Sequence, residues 1–229
     1  MINSNFKGLH EEMYDFFWQI SFQNNKSFFT ENHKQYVEHV RKPLLELAAV
    51  LSDTVHDIDS GLNTYPPAVL SRINRDIRYT KDKSPYRNHL WLGYKYNDDR
   101  TGDSFCLYAE FNRDSYGYGM GMYCPNTELM QKIRSNILLA PGEFLDLIDN
   151  SEFKRTFTIQ GESYKKEKYH HESERITRWL NLKYFYFEHS SDDLKATTKP
   201  EVADEIKNAF QVLKPVYQFL IRSDASQKS

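Results

Sequence analysis

The sequence predicts an α+β fold, in which helices at both ends of the chain flank a mostly antiparallel sheet. Apolar residues recur with helical spacing near the N-terminus and again over residues 201–221. Between these regions, segments alternate apolar and polar residues with the period of two that is typical of strands. Short turns at 97–102 and 112–115 separate consecutive segments, which favours antiparallel hairpins over parallel strands joined by crossover helices.

The first helix is predicted over residues 10–22, where four apolar residues share one face: Met13, Phe16, Phe17 and Ile20. Asn24 ends this helix, and Asn25 is expected to cap a second one that starts near Lys26. The second apolar stripe continues as far as Leu51. Pro43 lies inside it and should kink or restart the helix, because proline lacks an amide proton.

The sheet is predicted from the middle of the chain onward. Strands are expected at 90–96, 105–111 and 116–123, with shorter ones at 157–159 and 184–189. A further strand is predicted at the start of this region, with Ile73, Arg75 and Ile77 on one face and charged residues on the other. The closing helix over 201–221 contains Pro215, which should kink or split it.

Composition restricts the class of protein. The chain has 229 residues, and no flexible linker divides it, so a single domain over 1–229 is expected. A formal net charge of −2 is not the overall footprint of a nucleic-acid-binding domain. No leader sequence or membrane-spanning run is evident, and the two cysteines, Cys106 and Cys124, are expected to be buried and reduced. These features predict a cytoplasmic protein.

Residues 72–87, here called the basic segment, concentrate the charge. The segment contains six cations and two anions: Arg72, Arg75, Arg78, Lys81, Lys83, Arg87, Asp76 and Asp82. Arginine binds phosphate or carboxylate through two parallel hydrogen bonds, and lysine acts as a point charge, so this segment favours an anionic ligand. His89 follows closely and is a candidate to share the same site.

Two ion pairs are expected inside the basic segment. Arg75 falls on the predicted apolar face, where an unpaired guanidinium would be costly, so Asp82 is its expected partner. Asp76 would either orient Arg78 or, if its pKa were raised, act as a general base.

The basic segment also resembles a known family. The run from Arg75-Asp76 through Arg78 to Asp82-Lys83-Ser84-Pro85-Tyr86 is similar to the signature of domain of unknown function 2461, a widespread microbial family. Two further stretches resemble that family: Asn24-Asn25 with Phe28-Phe29, and the glycine-rich run 117–125 followed by Ile133-Arg134. The resemblance spans most of the chain and implies kinship, but it brings no activity with it.

Three functions remain open from the sequence. The first is a domain that binds an anionic small molecule or phosphate group through seven residues: Arg72, Arg75, Arg78, Lys81, Asp82, Lys83 and Tyr86. The second is an enzyme on an anionic substrate with Asp76 as general base, and the third is a protein-interaction module in which the charges only brace a loop. No cofactor or metal is predicted, and the oligomeric state is left open.

Three alternating glycines form a separate feature. Gly117, Gly119 and Gly121 would lie on one face of a strand, with larger side chains on the other. This spacing does not match the glycine loop that binds dinucleotides. Such a flat face predicts either a closely packed helix or the floor of a site for a planar ligand.

Overall fold

The computed structural model of the protein describes residues 6–97, 99 and 104–222. Within these residues, five strands form one antiparallel sheet in the order β1-β2-β3-β5-β4. The strands are β1 (His89–Tyr94), β2 (Cys106–Asn112), β3 (Tyr116–Gly121), β4 (Thr158–Ser163) and β5 (Leu182–Ser191). The predicted α+β class with an antiparallel sheet is confirmed. The turn predicted at 112–115 forms, whereas the one at 97–102 falls largely outside the described residues.

Helices precede, interrupt and follow the strands. Those before the sheet are α1 (Glu11–Phe22), α2 (Lys26–Glu31), α3 (His33–Gln35), α4 (Lys42–Ile58) and α5 (Pro66–Val69). Those after β3 are α6 (Thr127–Leu139), α7 (Pro141–Asp149), α8 (Ser151–Thr156), α9 (Glu174–Leu180), α10 (Leu194–Thr197) and α11 (Glu201–Ile221). None of the described helices is long and apolar enough to cross a bilayer.

The N-terminal helices form where the sequence predicts them. The four apolar residues of α1 are completely buried, and the Asn25 side chain accepts a hydrogen bond of 3.0 Å from the Phe28 amide as the cap of α2. A π-helical turn (Tyr36–Arg41) precedes Pro43, which lies in the first turn of α4, where its missing donor costs least. Pro215 lies inside α11, which continues past it without a break.

One face of the sheet, the inner face, packs against α4 and α11 to form the core. Its side chains include Leu92, Leu107, Phe111, Met120 and Phe185, each fully buried. Tyrosine hydroxyls on this face are satisfied by the helices. Tyr94 donates to the Ala48 carbonyl at 3.3 Å, and Tyr118 donates to the Glu205 carboxylate of α11 at 2.9 Å. The alternate side chains project from the opposite face, here called the outer face.

Three sequence predictions need correction. Residues 72–78 do not form a strand, because only isolated bridges, Leu70 to Leu92 and Asn74 to Tyr86, connect this region to a neighbour. Strands β4 and β5 extend beyond the short segments predicted at 157–159 and 184–189, because β4 pairs with β5 along its length and the end of β5 pairs with β3. Cys106 is buried as predicted, but Cys124 is exposed, because it lies beyond the last residue of β3.

Candidate functional site

The basic segment is a loop with a closed neck. The Arg75 amide donates to the Pro85 carbonyl at 2.8 Å, and the Arg87 amide donates to the Ile73 carbonyl at 2.8 Å. These two bonds join the ends of the loop, so residues 76–84 project as one excursion beside β1. Several polar groups in this excursion are bonded within the loop, so the alternating segment does not need a neighbouring strand as a partner.

Asn24 clamps the neck to the end of α1. Its amide nitrogen donates to the Tyr86 carbonyl at 2.9 Å, and its oxygen accepts from the Tyr86 amide at 2.9 Å. The Tyr86 ring is buried and stacks on Phe29 with ring centroids 4.3 Å apart. The structure therefore places Tyr86 in the core, where it anchors the loop, and not in the lining of an open pocket.

Asp82 organises the interior of the loop. Its carboxylate pairs with Arg75 and accepts from the Ser84 amide at 2.9 Å and the Ser84 hydroxyl at 2.7 Å. These hydrogen bonds, with the Arg75 charge, hold the pKa of Asp82 well below its usual range. The predicted Arg75–Asp82 pair is confirmed, and it locks the loop as expected.

Asp76 forms a forked pair with Arg78. The Arg78 guanidinium donates to the two carboxylate oxygens at 2.9 and 2.7 Å, and the Arg78 amide adds a bond of 3.1 Å. These bonds lower the pKa of Asp76 to about 2. A general base needs a pKa nearer neutrality, so the condition set for an enzyme built on Asp76 is not met. Asp76 orients Arg78 instead.

The other predicted cations of the loop point into solvent or toward the backbone. Lys83 donates through Nζ to the Ile77 carbonyl at 2.8 Å, which ties the two sides of the loop together. The side chains of Arg72 and Lys81 are exposed. These three residues supply positive charge around the loop and do not converge on one point.

Convergence occurs instead where the loop meets β1. The Arg87 guanidinium lies 4.8 Å from the centre of the Trp91 ring, and its Nε donates to the Arg72 carbonyl at 3.1 Å. His89 stacks against the same indole with ring centroids 5.8 Å apart. Burial and the nearby Arg75 charge lower the pKa of Arg87, and burial with both arginine charges lowers the pKa of His89. Arg75 and Arg87 thus form a cationic edge, and His89, whose lowered pKa favours the neutral ring, lies beside it.

The outer face of the sheet continues from this cationic edge. Trp91 lies opposite Glu110 on β2, and Glu110 lies opposite Gly117 on β3. In the next row along the strands, Gly119 lies opposite Glu188 on β5. Two glutamates therefore flank a strand that has no side chains on this face.

Tyrosines enclose the glutamate side of the outer face. Tyr123 stacks on Tyr186 with ring centroids 4.5 Å apart and meets Tyr108 edge-on at 5.6 Å. The Tyr108 ring is buried, and its hydroxyl reaches over β3 to the Phe187 carbonyl at 3.4 Å. The three rings present a compact aromatic wall beside the carboxylates.

The two glutamates are electrostatically unusual. Burial raises the pKa of Glu110, although a hydrogen bond from Asn112 opposes the shift. Burial and the Glu110 charge both raise the pKa of Glu188. Within the described residues, neither carboxylate forms an ion pair with a cationic side chain.

The glycines of β3 exist because of the neighbouring strand. A Cβ atom at Gly119 would lie 1.8 Å from the Phe187 carbonyl oxygen, and one at Gly117 would lie 2.6 Å from the His189 oxygen. The backbone of β5 therefore leaves no room for side chains at these positions. The sequence predicted that a closely packed helix could require the glycines, but the structure shows that the neighbouring strand does. The lack of side chains from β3 on the outer face is a consequence of this approach.

A family model described as "Conserved hypothetical protein (DUF2461)" matches residues 12–219. The chain belongs to this family. The predicted kinship is thereby confirmed, while the description of the family indicates no activity. A comparison with curated proteins finds no match.

In this DUF2461 protein, residues from the stretches that carry the resemblance position the basic segment and strand β5. Asn24 clamps the loop, and the β3 glycines allow β5 to approach. Arg134 is buried in α6 and donates to the carbonyls of Leu180 and Leu182 at 2.7 and 2.6 Å, which fixes the start of β5.

Sequence reasoning missed Glu110, Glu188 and the tyrosine wall. The available signal was a glutamate two residues after a tyrosine in two different strands, at Tyr108-Ala109-Glu110 and Tyr186-Phe187-Glu188. A charged residue at an alternate position of an aromatic strand marks a face that is not simply core. The strand predicted at 184–189 does not by itself indicate which of its residues face a site.

Two other features lie away from the outer face, a histidine cluster and a groove beside α11. Within the described residues, His10, Glu12 and His39 place their ligand atoms within 4.8 Å of one another, and the two histidine Nδ1 atoms are 2.9 Å apart. This group could hold a metal ion, but it lies on the surface. A groove beside α11 contains Glu143, Asp146 and Glu152 in its lining, and these carboxylates would repel an anion.

Proposed function

We propose that this protein binds a small molecule through an anionic group, a phosphate or carboxylate, at the cationic edge formed by Arg75 and Arg87, beside His89. The observation that carries the proposal is the proximity of two guanidinium groups, Arg75 and Arg87, of which only Arg75 has a carboxylate partner within the described residues. Asp82 pairs with Arg75, while Arg87 is held beside it by stacking on Trp91 and by a backbone carbonyl.

Each part of the edge contributes a different property. Arg87 uses Nε for the Arg72 carbonyl, and within the described residues its two terminal nitrogens have no recorded partner, so they can form a forked bond with an oxyanion. His89 is half-buried and stacks against Trp91, whose indole also contacts Arg87. The indole would form an apolar surface beneath the bound anionic group. Arg75 and Arg87 repel each other in the free protein. A bound anion would reduce this repulsion, and the reduction would contribute to the binding free energy.

The residues first predicted to bind the ligand take different roles in this proposal. Asp82 and Tyr86 hold the loop in position. The exposed charges of Arg72, Arg78, Lys81 and Lys83 raise the local concentration of anions without fixing their position.

The test is a thermal-shift and calorimetric titration with inorganic phosphate, sugar phosphates, nucleotides and carboxylates. A ligand at 100 times its Kd stabilises by about 2.7 kcal/mol, which corresponds to roughly 5–10 °C for a chain of this length. Arg87→Met keeps the apolar stem and removes the fork, so it should abolish the shift. Arg178→Met is the matched control, because Arg178 is an exposed helical arginine paired with Glu174. Equal shifts in both variants would refute the proposal.

A structural brace is the second candidate, because four of the eight charged residues of the basic segment form ion pairs with one another. Under this alternative, Arg75→Met lowers Tm, and no anion restores it or shifts the wild-type protein. If the protein binds an anion, the ligand should raise the Tm of the wild-type protein but not that of Arg87→Met. The Tm of Arg87→Met without ligand should differ little from that of the wild-type protein.

A further inference from the structure

The outer face carries opposite charges at two places, and the proposed function uses only one of them. Resting on that function, we infer that the ligand is a small zwitterion: its anionic group binds at Arg87 and its ammonium group lies between Glu110 and Glu188, against the tyrosine wall. The four steps of the argument concern charge, aromatic rings, space and distance.

The first step is the uncompensated negative charge. Glu110 and Glu188 are half-buried on one sheet face, and glutamates in such positions are ordinarily paired. Lys95 lies on the same face, but its ammonium group donates to the backbone carbonyls of Tyr96 and Asp99. A bound cation would supply the partner that the described residues do not.

The second step is the aromatic wall. Stacked Tyr123 and Tyr186, with Tyr108 edge-on, present ring faces and hydroxyls beside the two carboxylates. Aromatic rings attract ammonium groups through their quadrupole, and cages of this composition bind organic cations. An inorganic cation would gain little from the rings, so the combination favours an amine.

The third step is the space between the carboxylates. Gly117 lies beside Glu110 and Gly119 lies beside Glu188, so the strand between the two glutamates contributes only backbone to the outer face. The Tyr108 hydroxyl reaches over this strand and lies 3.0 Å from where a Cβ atom at Gly119 would be, so an ammonium group between the two carboxylates would also meet this hydroxyl oxygen.

The fourth step is distance. Adjacent strands lie about 4.8 Å apart, so the point above β3 is roughly 10 Å from Trp91 on β1. The Arg87 guanidinium lies over Trp91, which leaves about 5–10 Å between the two charges of the ligand. That separation is longer than in an α-amino acid and suits an ω-amino acid, a dipeptide or an amino-sugar phosphate.

The test uses three probes of matched chain length: 6-aminohexanoate, whose charges are roughly 7 Å apart when extended, hexanoate and hexylamine. Calorimetry on the wild-type protein should show 6-aminohexanoate binding at least about tenfold more tightly than hexanoate. In Glu110→Gln/Glu188→Gln that preference should fall to about one, while hexanoate binds as well as before or better. Thermal melts establish that the double variant is folded.

Failures of the inference and of the proposed function are distinguishable. If hexanoate binding requires Arg87 but 6-aminohexanoate binds no more tightly than hexanoate, the inference of a zwitterionic ligand is refuted and the proposed anion site stands. If hexylamine binds through the glutamates while no anion depends on Arg87, both proposals are wrong. If the preference for 6-aminohexanoate survives in the double variant, the glutamates are not the amine site.

Discussion

The clamp made by Asn24 is the single contact on which the position of the basic segment depends most, and Asn24→Ala tests it. The substitution removes two hydrogen bonds of 2.9 Å and leaves the buried amide and carbonyl of Tyr86 without partners. Each unsatisfied backbone group costs about 1–3 kcal/mol, and partial access of water reduces this, so we expect a loss of about 2–4 kcal/mol. Tm should fall by roughly 5–15 °C.

The informative measurement is hydrogen exchange at the Arg75 and Arg87 amides, which close the neck of the loop. If the clamp sets the local opening free energy, exchange at both amides should accelerate by roughly 30- to 700-fold in Asn24→Ala. Asn25→Ala is the matched control: it removes the cap of α2 and costs about 1 kcal/mol without touching the loop. Similar exchange at the neck in the two variants would refute the reasoning.

Two further predictions concern the outer face. Gly119→Ala should lower the free energy of unfolding by about 1–3 kcal/mol or more, because its Cβ would collide with a β5 carbonyl. Gly142→Ala is the control: it has open space around it and should leave the free energy of unfolding unchanged or raise it by up to about 1 kcal/mol. Urea titration measures both, and equal effects would contradict the close approach of β5 to Gly119. Burial raises the pKa of Glu110 and Glu188 above the unfolded value of 4.5, so the folded state holds more protons between the two pKa values and stability falls as pH rises through that window. Glu110→Gln/Glu188→Gln should therefore raise Tm at about pH 7 and not at about pH 3; a gain that is independent of pH would be evidence against the shifts.

The fold could be predicted because its signals are local. Helical spacing over residues 10–22, the Asn25 cap and the short turn at 112–115 each depend on neighbours in the chain. The Arg75–Asp82 pair was also within reach, since seven residues separate the partners.

The candidate site could not be predicted because it depends on pairings distant in sequence. Glu110 and Glu188 meet across β3 only once strand order and register are known. The clamp between Asn24 and Tyr86 joins residues that are 62 positions apart. The alternation over 72–78 predicted a strand, because a loop that satisfies its own polar groups gives the same pattern.

Unpaired charges on the outer face, at Arg87 and Glu110 among the described residues, lower the stability of the free protein. Trp91 lies directly opposite Glu110, and Arg87 stacks on that indole, yet within the described residues Arg87 forms no ion pair with Glu110. A direct bridge between these two side chains would relieve the repulsion between Arg87 and Arg75 and would also neutralise a buried carboxylate. The indole instead keeps the opposite charges apart, with one group on each side of an apolar surface. Proteins retain such local conflicts where a bound molecule resolves them, because the energy left unsatisfied in the free state becomes binding energy. A zwitterion laid across Trp91 would satisfy both ends at once, which a simple anion could not do.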